Sequence, residues 1–223
     1  MDVRTVTVRD GDTELGGDLA TTPEATGVVL FAHGSGSSRH SPRNKEVADA
    51  LNKSNFATLL IDLLSEDEDR VDQVTREPRF DIGLLTRRLT AAVDWLAAAP
   101  QTAELKVGLF GASTGAAAAL RAAAERPRRV GAVVSRGGRV DLAGDRLADV
   151  SAPVLMIAGS ADEPVVRIAF DASERLHVLN EVHIVPDASH LFEEPGALEQ
   201  VTGAAMTWFR DHLGTGDSSD SGV

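Results

Sequence analysis

The sequence predicts an α/β fold, in which a mostly parallel, twisted sheet carries an N-terminal antiparallel hairpin and has helices on both faces. Short apolar runs of strand length alternate along the chain with longer segments that repeat apolar residues at helical spacing. Before them, Val3–Val8 alternates apolar and polar residues and leads through the turn Asp10-Gly11-Asp12 into Leu15–Leu19, a pattern typical of an edge hairpin. The alternation favours parallel pairing, because each helix returns the chain across a face of the sheet.

Each element is predicted from its apolar pattern and its flanking turn residues. The buried strands are expected at Gly27–Ala32, Phe56–Leu63, Leu105–Phe110, Val130–Ser135, Val154–Ala158 and Glu181–Val185. The helices are expected after Ser41-Pro42, at Ile82–Ala98, after Ser113 to about Glu125, at Val166–Leu179 and at Pro195–Leu213. Residues 64–80 are charged and lack periodicity, so they are predicted to form the longest loop. Only residues 136–153 separate two neighbouring strands, so no large cap domain is expected there.

Composition limits the classes of function. Residues 1–214 are expected to form one domain, and the Gly/Ser/Asp-rich segment 215–223 a disordered tail. The net charge of −12, from 34 acids and 22 bases, disfavours nucleic acid and anionic membrane as partners. The absence of cysteine excludes disulfides, thiolate metal sites and a cysteine nucleophile.

The expected location is the cytoplasm. The N-terminus carries charges where a signal peptide needs an apolar core, and no apolar run has membrane-spanning length. No cofactor or metal is indicated, since no His/Asp pair has ligand spacing on one element. A monomer and a homodimer both fit the sequence.

The strand ending at Phe110 is followed by Gly111-Ala-Ser113-Thr-Gly115 and then by an alanine-rich helical segment. A strand that turns at once into a helix strains its corner residue, and glycines two positions before and after relieve the crowding. The hydroxyl of Ser113 would then stand clear of the sheet. We therefore expect Ser113 to be a nucleophile.

A serine nucleophile needs a general base, and the base needs a carboxylate to orient it. Of the six histidines, only His190 lies in a loop after the last strand. Asp162 follows the end of the preceding strand and is the favoured carboxylate. Glu163 and Asp187 are the alternatives, although Asp187 fits better as a turn former.

The tetrahedral intermediate of acyl transfer also needs backbone donors for its oxyanion. The N–H of Thr114 is one candidate, and the N–H of Ser35, between two glycines, is the other. His33 is expected to shape this turn by hydrogen bonding rather than to transfer protons. The alternatives for the segment His33–Ser38 are a flexible turn or a phosphate cradle, but it lacks the Gly-Lys-Ser/Thr ending of a phosphate loop.

These segments together resemble the α/β-hydrolase superfamily, and within it the small serine hydrolases related to dienelactone hydrolase. The resemblance rests on His33-Gly-Ser-Gly-Ser-Ser38, Gly111-Ala-Ser-Thr-Gly115, Gly159-Ser-Ala-Asp162-Glu-Pro-Val165 and Ala188-Ser-His190-Leu-Phe. The chain order Ser113, Asp162, His190 is that of the triad in this fold. Dienelactone hydrolases use a cysteine nucleophile, whereas position 113 is serine.

The resemblance implies a cofactor-independent hydrolase that cleaves small carboxylic esters through an acyl-enzyme. A thioester, lactone or peptide bond would suit the same triad, and a non-catalytic member of the fold that binds a small molecule is the remaining alternative. Fold analogy alone carries the ester assignment.

Two arginines, Arg136 and Arg139, follow another strand end near the predicted site. Either could hold a substrate carboxylate through a bidentate contact. We favour internal pairing of these arginines with Asp141, Asp145 or Asp162. If one of them binds substrate, we expect it to be Arg136.

Overall fold

An eight-stranded sheet forms the centre of the structure, a computed structural model that describes residues 1–213. The strands are β1 (Asp2–Asp10), β2 (Thr13–Thr21), β3 (Gly27–Ala32), β4 (Phe56–Ile61), β5 (Val107–Ala112), β6 (Val130–Arg136), β7 (Val154–Gly159) and β8 (Asn180–Val185). Their spatial order is β1-β2-β4-β3-β5-β6-β7-β8. Only the β1–β2 and β2–β4 pairs are antiparallel. The predicted hairpin and mostly parallel sheet are confirmed.

Helices cover both faces of this sheet. They are α1 (Pro42–Lys53), α2 (Glu66–Thr75), α3 (Ile82–Ala98), α4 (Thr114–Glu125), α5 (Glu163–Arg175) and α6 (Ala197–Leu213). One apolar cluster joins α3, α4 and α5 to one face, and a second joins α1 and α6 to the other. The segment between β6 and β7 is a short 3-10 stretch, Val140–Asp149, so no large cap is present in the described chain. The predicted tail 215–223 lies outside the described residues.

The segment 64–80, predicted as a loop, instead contains the helix α2 and a 3-10 turn at Pro78–Phe80. Helix α2 begins with a reciprocal cap between Ser65 and Glu68, and acidic residues fill its first turn, where the helix dipole favours negative charge. Its only buried residue is Asp72. The helix therefore lacks the apolar period from which helices are predicted.

Helix α5 also differs from its prediction, since it spans Glu163–Arg175 rather than 166–179. It begins three residues earlier because Glu163-Pro164 supplies its first turn, a position that suits the fixed φ of proline. Among residues 1–213, no helix combines the length and the apolarity needed to cross a membrane.

Buried ion pairs hold α2 in place. The carboxylate of Asp72 accepts hydrogen bonds from the backbone N–H and the Nε of Arg79, at 2.8 and 2.7 Å. Burial opposes ionisation of Asp72, but these bonds outweigh it and lower the pKa of the carboxyl. The buried guanidinium of Arg88 on α3 binds Glu68 of α2 and Asp10 of β1, at 2.5 and 2.7 Å. An acidic helix without an apolar face is thus attached by charge.

Helix α4 lies close against β3. A Cβ at Gly115 would overlap the carbonyl oxygens of Ala32 and His33, and a Cβ at Gly111 would come within 2.5 Å of the Ala116 Cα. No side chain fits between these backbones. The two glycines therefore set how closely the start of α4 approaches the sheet.

We expect Asp72→Asn to lower the free energy of unfolding by about 1–3 kcal/mol at pH 7, because a buried partner of Arg79 loses its charge. The folded pKa of Asp72 lies below its unfolded value of about 4. Its stabilisation is therefore complete above that unfolded value and is lost as the pH falls through the folded one. Urea unfolding of both proteins should show the difference shrinking on acidification. Asp67→Asn, an exposed position of α2, is the control and should change little.

We expect Gly115→Ala to destabilise the protein by at least about 2 kcal/mol, because the new methyl group overlaps backbone atoms. Gly203→Ala is the matched control, since Gly203 lies in α6 with open space around its Cα. There alanine should stabilise by about 0.5–1 kcal/mol. Thermal unfolding measures both, and changes of equal sign would contradict the proposed close packing.

Candidate active site

The carboxyl ends of the parallel strands lie along one edge of the sheet, where α/β proteins place their ligand sites. The residues singled out from the sequence all lie at or just after these ends: Ser35 after β3, Ser113 after β5, Arg136 at the end of β6, Asp162 after β7 and His190 after β8. The topology therefore brings residues distant in the chain to one edge.

Ser113 occupies the sharp corner between β5 and α4. Its backbone has φ 50° and ψ −120°, a conformation that costs a non-glycine residue about 1–3 kcal/mol. Its N–H donates to the Arg136 carbonyl at 3.3 Å, and its own carbonyl accepts from the Arg139 N–H at 3.0 Å. Its side chain does not cap α4. The corner is thus fixed through the backbone, which leaves the hydroxyl free of a structural role.

Asp162 and His190 are in direct contact. Asp162 Oδ2 lies 2.6 Å from His190 Nδ1, and the carboxylate is largely shielded while the imidazole is partly exposed. The two loops that carry them are joined by a hydrogen bond from the Ala161 N–H to the Ala188 carbonyl, at 3.0 Å. Asp187, the alternative carboxylate, instead lies in a turn at φ 57°.

His190 and Ser113 both contact the segment 136–139. A Cβ at Gly137 would lie 3.5 Å from His190 Cε1, and the preceding carbonyl, of Arg136, accepts from Ser113. Within residues 1–213 the Ser113 hydroxyl forms no hydrogen bond. The structure thus unites Asp162 with His190 and places Ser113 beside the same segment, without a Ser113–His190 hydrogen bond.

The loop after β3 reaches the start of α4. Ser35 Oγ lies 3.0 Å from Thr114 Oγ1, and a Cβ at Gly34 would lie 3.1 Å from the Ser113 Cβ. The backbone N–H groups of Ser35 and Thr114 donate no hydrogen bond to any group in the described chain. Two unused amide donors therefore flank Ser113.

The buried side chain of His33 holds this loop in place through hydrogen bonds of both ring nitrogens. Its Nε2 accepts a hydrogen bond from the Leu63 N–H at 3.0 Å, so its Nδ1–H donates to the Gly34 carbonyl, also at 3.0 Å. Burial lowers the pKa of His33, which favours the neutral ring that this pattern requires. His33 thus bonds to the turn, as its sequence position suggests.

The contribution of Arg79 and Asp72 to this edge could not be foreseen while residues 64–80 were expected to form a loop. The guanidinium of Arg79, which pairs with Asp72, lies against the loop after β3. A Cβ at Gly36 in that loop would come 2.9 Å from Arg79 Nη1. The Arg79 carbonyl lies 3.5 Å from Ser35 Oγ. The local sequence signal for a helix in this segment was the capping pattern of Ser65 and Glu68.

The favoured internal pairing is right for one arginine and wrong for the other. Arg139 forms a bidentate pair with Asp141, at 2.9 and 2.8 Å. Arg136 pairs with none of the expected acids, and no acidic side chain within residues 1–213 lies within ion-pair distance of it. In the same part of the chain, no group of three or more acids and histidines has the arrangement of a metal site.

Comparison with known proteins identifies relatives of the whole described domain. Two Mycobacterium tuberculosis proteins named "Putative phosphoribosyl transferase", from two strains, are 51% identical over 208 residues, which is 93% of this chain and 46% of theirs. The chain thus spans about half the length of these curated relatives.

Solved structures give the same fold. The crystal structure of a dienelactone hydrolase from Anabaena variabilis is 55% identical, with a TM-score of 0.93 over 95% of this chain and 98% of that one. Est1E from Butyrivibrio proteoclasticus shares the fold at 16% identity, with a TM-score of 0.79 over 93% of this chain and 98% of its own. The sequence model of the dienelactone hydrolase family matches residues 16–213. This chain belongs to the dienelactone hydrolase family.

Proposed function

We propose that the protein is a serine hydrolase that cleaves small carboxylic esters through an acyl-enzyme. The observation that carries the proposal is the 2.6 Å contact between Asp162 and His190 at the sheet edge that also holds the strained Ser113. Membership of a hydrolase family supports the reaction class. The bond cleaved and the roles of the residues are our inference from the site.

In the acylation step, the Ser113 hydroxyl attacks the ester carbonyl while His190 Nε2 takes its proton. Asp162 holds the Nδ1–H and stabilises the imidazolium that forms. The negative oxygen of the tetrahedral intermediate accepts from the unused N–H groups of Ser35 and Thr114. Collapse breaks the carbon–oxygen bond to the alcohol, which leaves with the proton returned by His190.

The second step releases the acid. Water gives a proton to His190 and attacks the acyl carbon. The second intermediate then collapses, the bond from the acyl carbon to the Ser113 oxygen breaks, and His190 returns the proton to that oxygen as the carboxylic acid leaves. The lack of a Ser113–His190 hydrogen bond within residues 1–213 does not argue against this role, because catalytic hydrogen bonds often tighten only once substrate is bound. Nothing in either step needs a group from outside the chain other than water.

The name of the Mycobacterium tuberculosis relatives suggests phosphoribosyl transfer, but it belongs to proteins of which this chain matches less than half. The hydrolase family model covers residues 16–213 of this chain, so we assign hydrolysis to it. A thioester, lactone or peptide bond would pass through the same intermediates. A panel of these substrates at equal enzyme concentration distinguishes them.

We expect Ser113→Ala to lower kcat/KM on a short-chain 4-nitrophenyl ester by at least about 10⁴-fold, as loss of the nucleophile does in other triads. The melting temperature should not fall, because the hydroxyl makes no structural hydrogen bond in the described chain. A fluorophosphonate probe should label the parent and fail to label the variant.

Ser37→Ala is the control for this experiment, since Ser37 is an exposed serine in the neighbouring loop. It should keep both labelling and turnover. A folded parent protein that is neither labelled nor active on any ester would favour a non-catalytic member of the fold. Labelling that persists in Ser113→Ala would assign the nucleophile to another residue.

The hydroxyls of Ser35 and Thr114 should matter much less than their amides. We expect Ser35→Ala and Thr114→Val each to lower kcat by less than about 10-fold, whereas loss of an oxyanion donor costs about 10²–10³-fold. Both changes remove the same hydroxyl contact, so the double variant should lose no more than the worse single one. A 100-fold loss in either would make the side chain itself the donor.

A further inference from the structure

The turn after β3 carries one of the two amide donors of the proposed oxyanion site. The Ser37 N–H donates to the Gly34 carbonyl at 3.2 Å, so Ser35 and Gly36 are the central residues of a β-turn. Gly36 has φ 68°, a value that suits glycine at the second central position. Gly36 and Ser37 are exposed. The orientation of the Ser35 amide therefore depends on the groups that support this turn.

Arg79 lies directly against the exposed part of the turn. A Cβ at Gly36 would come 2.9 Å from Arg79 Nη1 and 3.5 Å from Arg79 Cζ, so the guanidinium packs on the backbone of Gly36. The carbonyl of Arg79 accepts a hydrogen bond from Ser35 Oγ at 3.5 Å. The His33 ring bonds to the Gly34 carbonyl. His33 thus holds the start of the turn, and Arg79 contacts both of its central residues.

Asp72 fixes the orientation of the Arg79 guanidinium. One carboxylate oxygen of Asp72 accepts from the Arg79 backbone N–H at 2.8 Å, and the other accepts from Nε at 2.7 Å and lies 2.6 Å from Nη2. These contacts leave Nη1 as the nitrogen that lies against Gly36. Because one carboxylate holds both the backbone and the side chain of Arg79, the guanidinium is fixed relative to the turn.

Stability alone does not account for this arrangement. Within residues 1–213, the two apolar clusters of the core include no residue of 65–81, and Asp72 is the only buried residue of α2. An ion pair that is removed from water adds no more stability than apolar residues of similar volume would. The segment therefore desolvates charges where apolar contacts would serve its attachment equally well. What the pair contacts beyond its own segment is the turn of Ser35.

We propose that Asp72 and Arg79 are positioning residues of the hydrolase. Asp72 orients Arg79, and Arg79 holds the turn from which the Ser35 N–H donates to the oxyanion. The inference rests on the proposed esterase function and adds two residues that act through the turn without touching the substrate. An oxyanion donor is worth about 10²–10³-fold in kcat, and a misplacement of about 1 Å costs on the order of 100-fold. A displaced turn should slow acylation and deacylation alike, because both intermediates use the same donors.

The closing experiment measures Arg79→Met on 4-nitrophenyl acetate, an uncharged ester, and on its thionoester, in which sulfur replaces the carbonyl oxygen. Sulfur is a larger and weaker hydrogen-bond acceptor, so the ester-to-thionoester ratio of kcat/KM reports the amide donors. We expect kcat on the ester to fall about 10- to 100-fold with little change in KM. The ratio should fall as well. It is the deciding quantity, because any loss of folded enzyme cancels in it.

Arg126→Met is the matched control, because it removes an Arg–Asp pair at the other end of α4. Arg126 follows the last residue of this helix and holds Asp94 through two contacts of 2.7 Å. It should leave the ratio unchanged. Asp72→Asn should lower the ratio, and the double variant with Arg79→Met should lower it no further than the worse single variant. An unchanged ratio in Arg79→Met, or a rise in KM with kcat unchanged, overturns the proposal.

Arg79→Lys separates positioning from stability. Lysine keeps a charged partner for Asp72 but has no second nitrogen to lie against Gly36. The melting temperature of this variant should therefore stay close to that of the parent, while the ester-to-thionoester ratio stays low. A ratio that recovers together with the melting temperature would assign Arg79 to stability alone.

A readout without turnover separates this proposal from the esterase assignment. The Ser37 N–H closes the turn, and its hydrogen exchange, followed by NMR, should be faster in Arg79→Met than in the parent or in Arg126→Met. If the parent hydrolyses no ester but exchange is faster in Arg79→Met, the esterase assignment fails and the support of the turn by Arg79 stands. If exchange is unchanged, the proposed support fails whatever the activity.

Discussion

The close approach of the first turn of α4 to the end of β3 is the constraint on which the site depends. Because the Cα of Gly115 lies against the carbonyls of Ala32 and His33, the helix must start immediately after β5. The residue between them, Ser113, therefore has no room to relax from its positive φ. The same contact brings the loop that holds Ser35 to Thr114. This one packing contact thus fixes both the backbone of Ser113 and the positions of the amide donors of Ser35 and Thr114.

A similar contact joins the other half of the site. Gly159 at the end of β7 lies against the Ala188 carbonyl, where a Cβ would overlap it, and this aligns the loop of Asp162 with the loop of His190. Gly137, which has no side chain, lies next to the imidazole of His190, where a Cβ would be 3.5 Å from Cε1. Backbone contacts between loops, rather than long side chains, thus determine where the polar groups stand. Such contacts tolerate few substitutions but give precise positions.

The sequence predicts this arrangement well where local pattern and topology agree. Apolar runs identify the strands. The rule that parallel strands end at one edge of the sheet then predicts that Ser113, Asp162 and His190 lie along that edge. Helix α2 escapes prediction because its one buried residue is an aspartate. The lack of an acidic partner for Arg136 within residues 1–213 also escapes prediction. Strand alternation gives the face of a side chain, but which acid lies in reach depends on loop paths, and Asp141 binds Arg139 instead.

Of the three charged side chains that are buried in the described chain, Asp72, Arg88 and Arg136, only the first two are compensated by ion pairs. Asp72 and Arg88 attach α2, a helix with no apolar face, and the charge of each is compensated by the groups it binds. Compensation of this kind is what stability alone requires of a buried ion. At Arg136 the chain has a net charge of −12 and many acids available, yet leaves the guanidinium without a partner. Arg136 ends the strand next to Ala112, and its carbonyl accepts a hydrogen bond from the N–H of the strained Ser113, so the uncompensated charge lies at the edge of the sheet where the polar groups of the site gather.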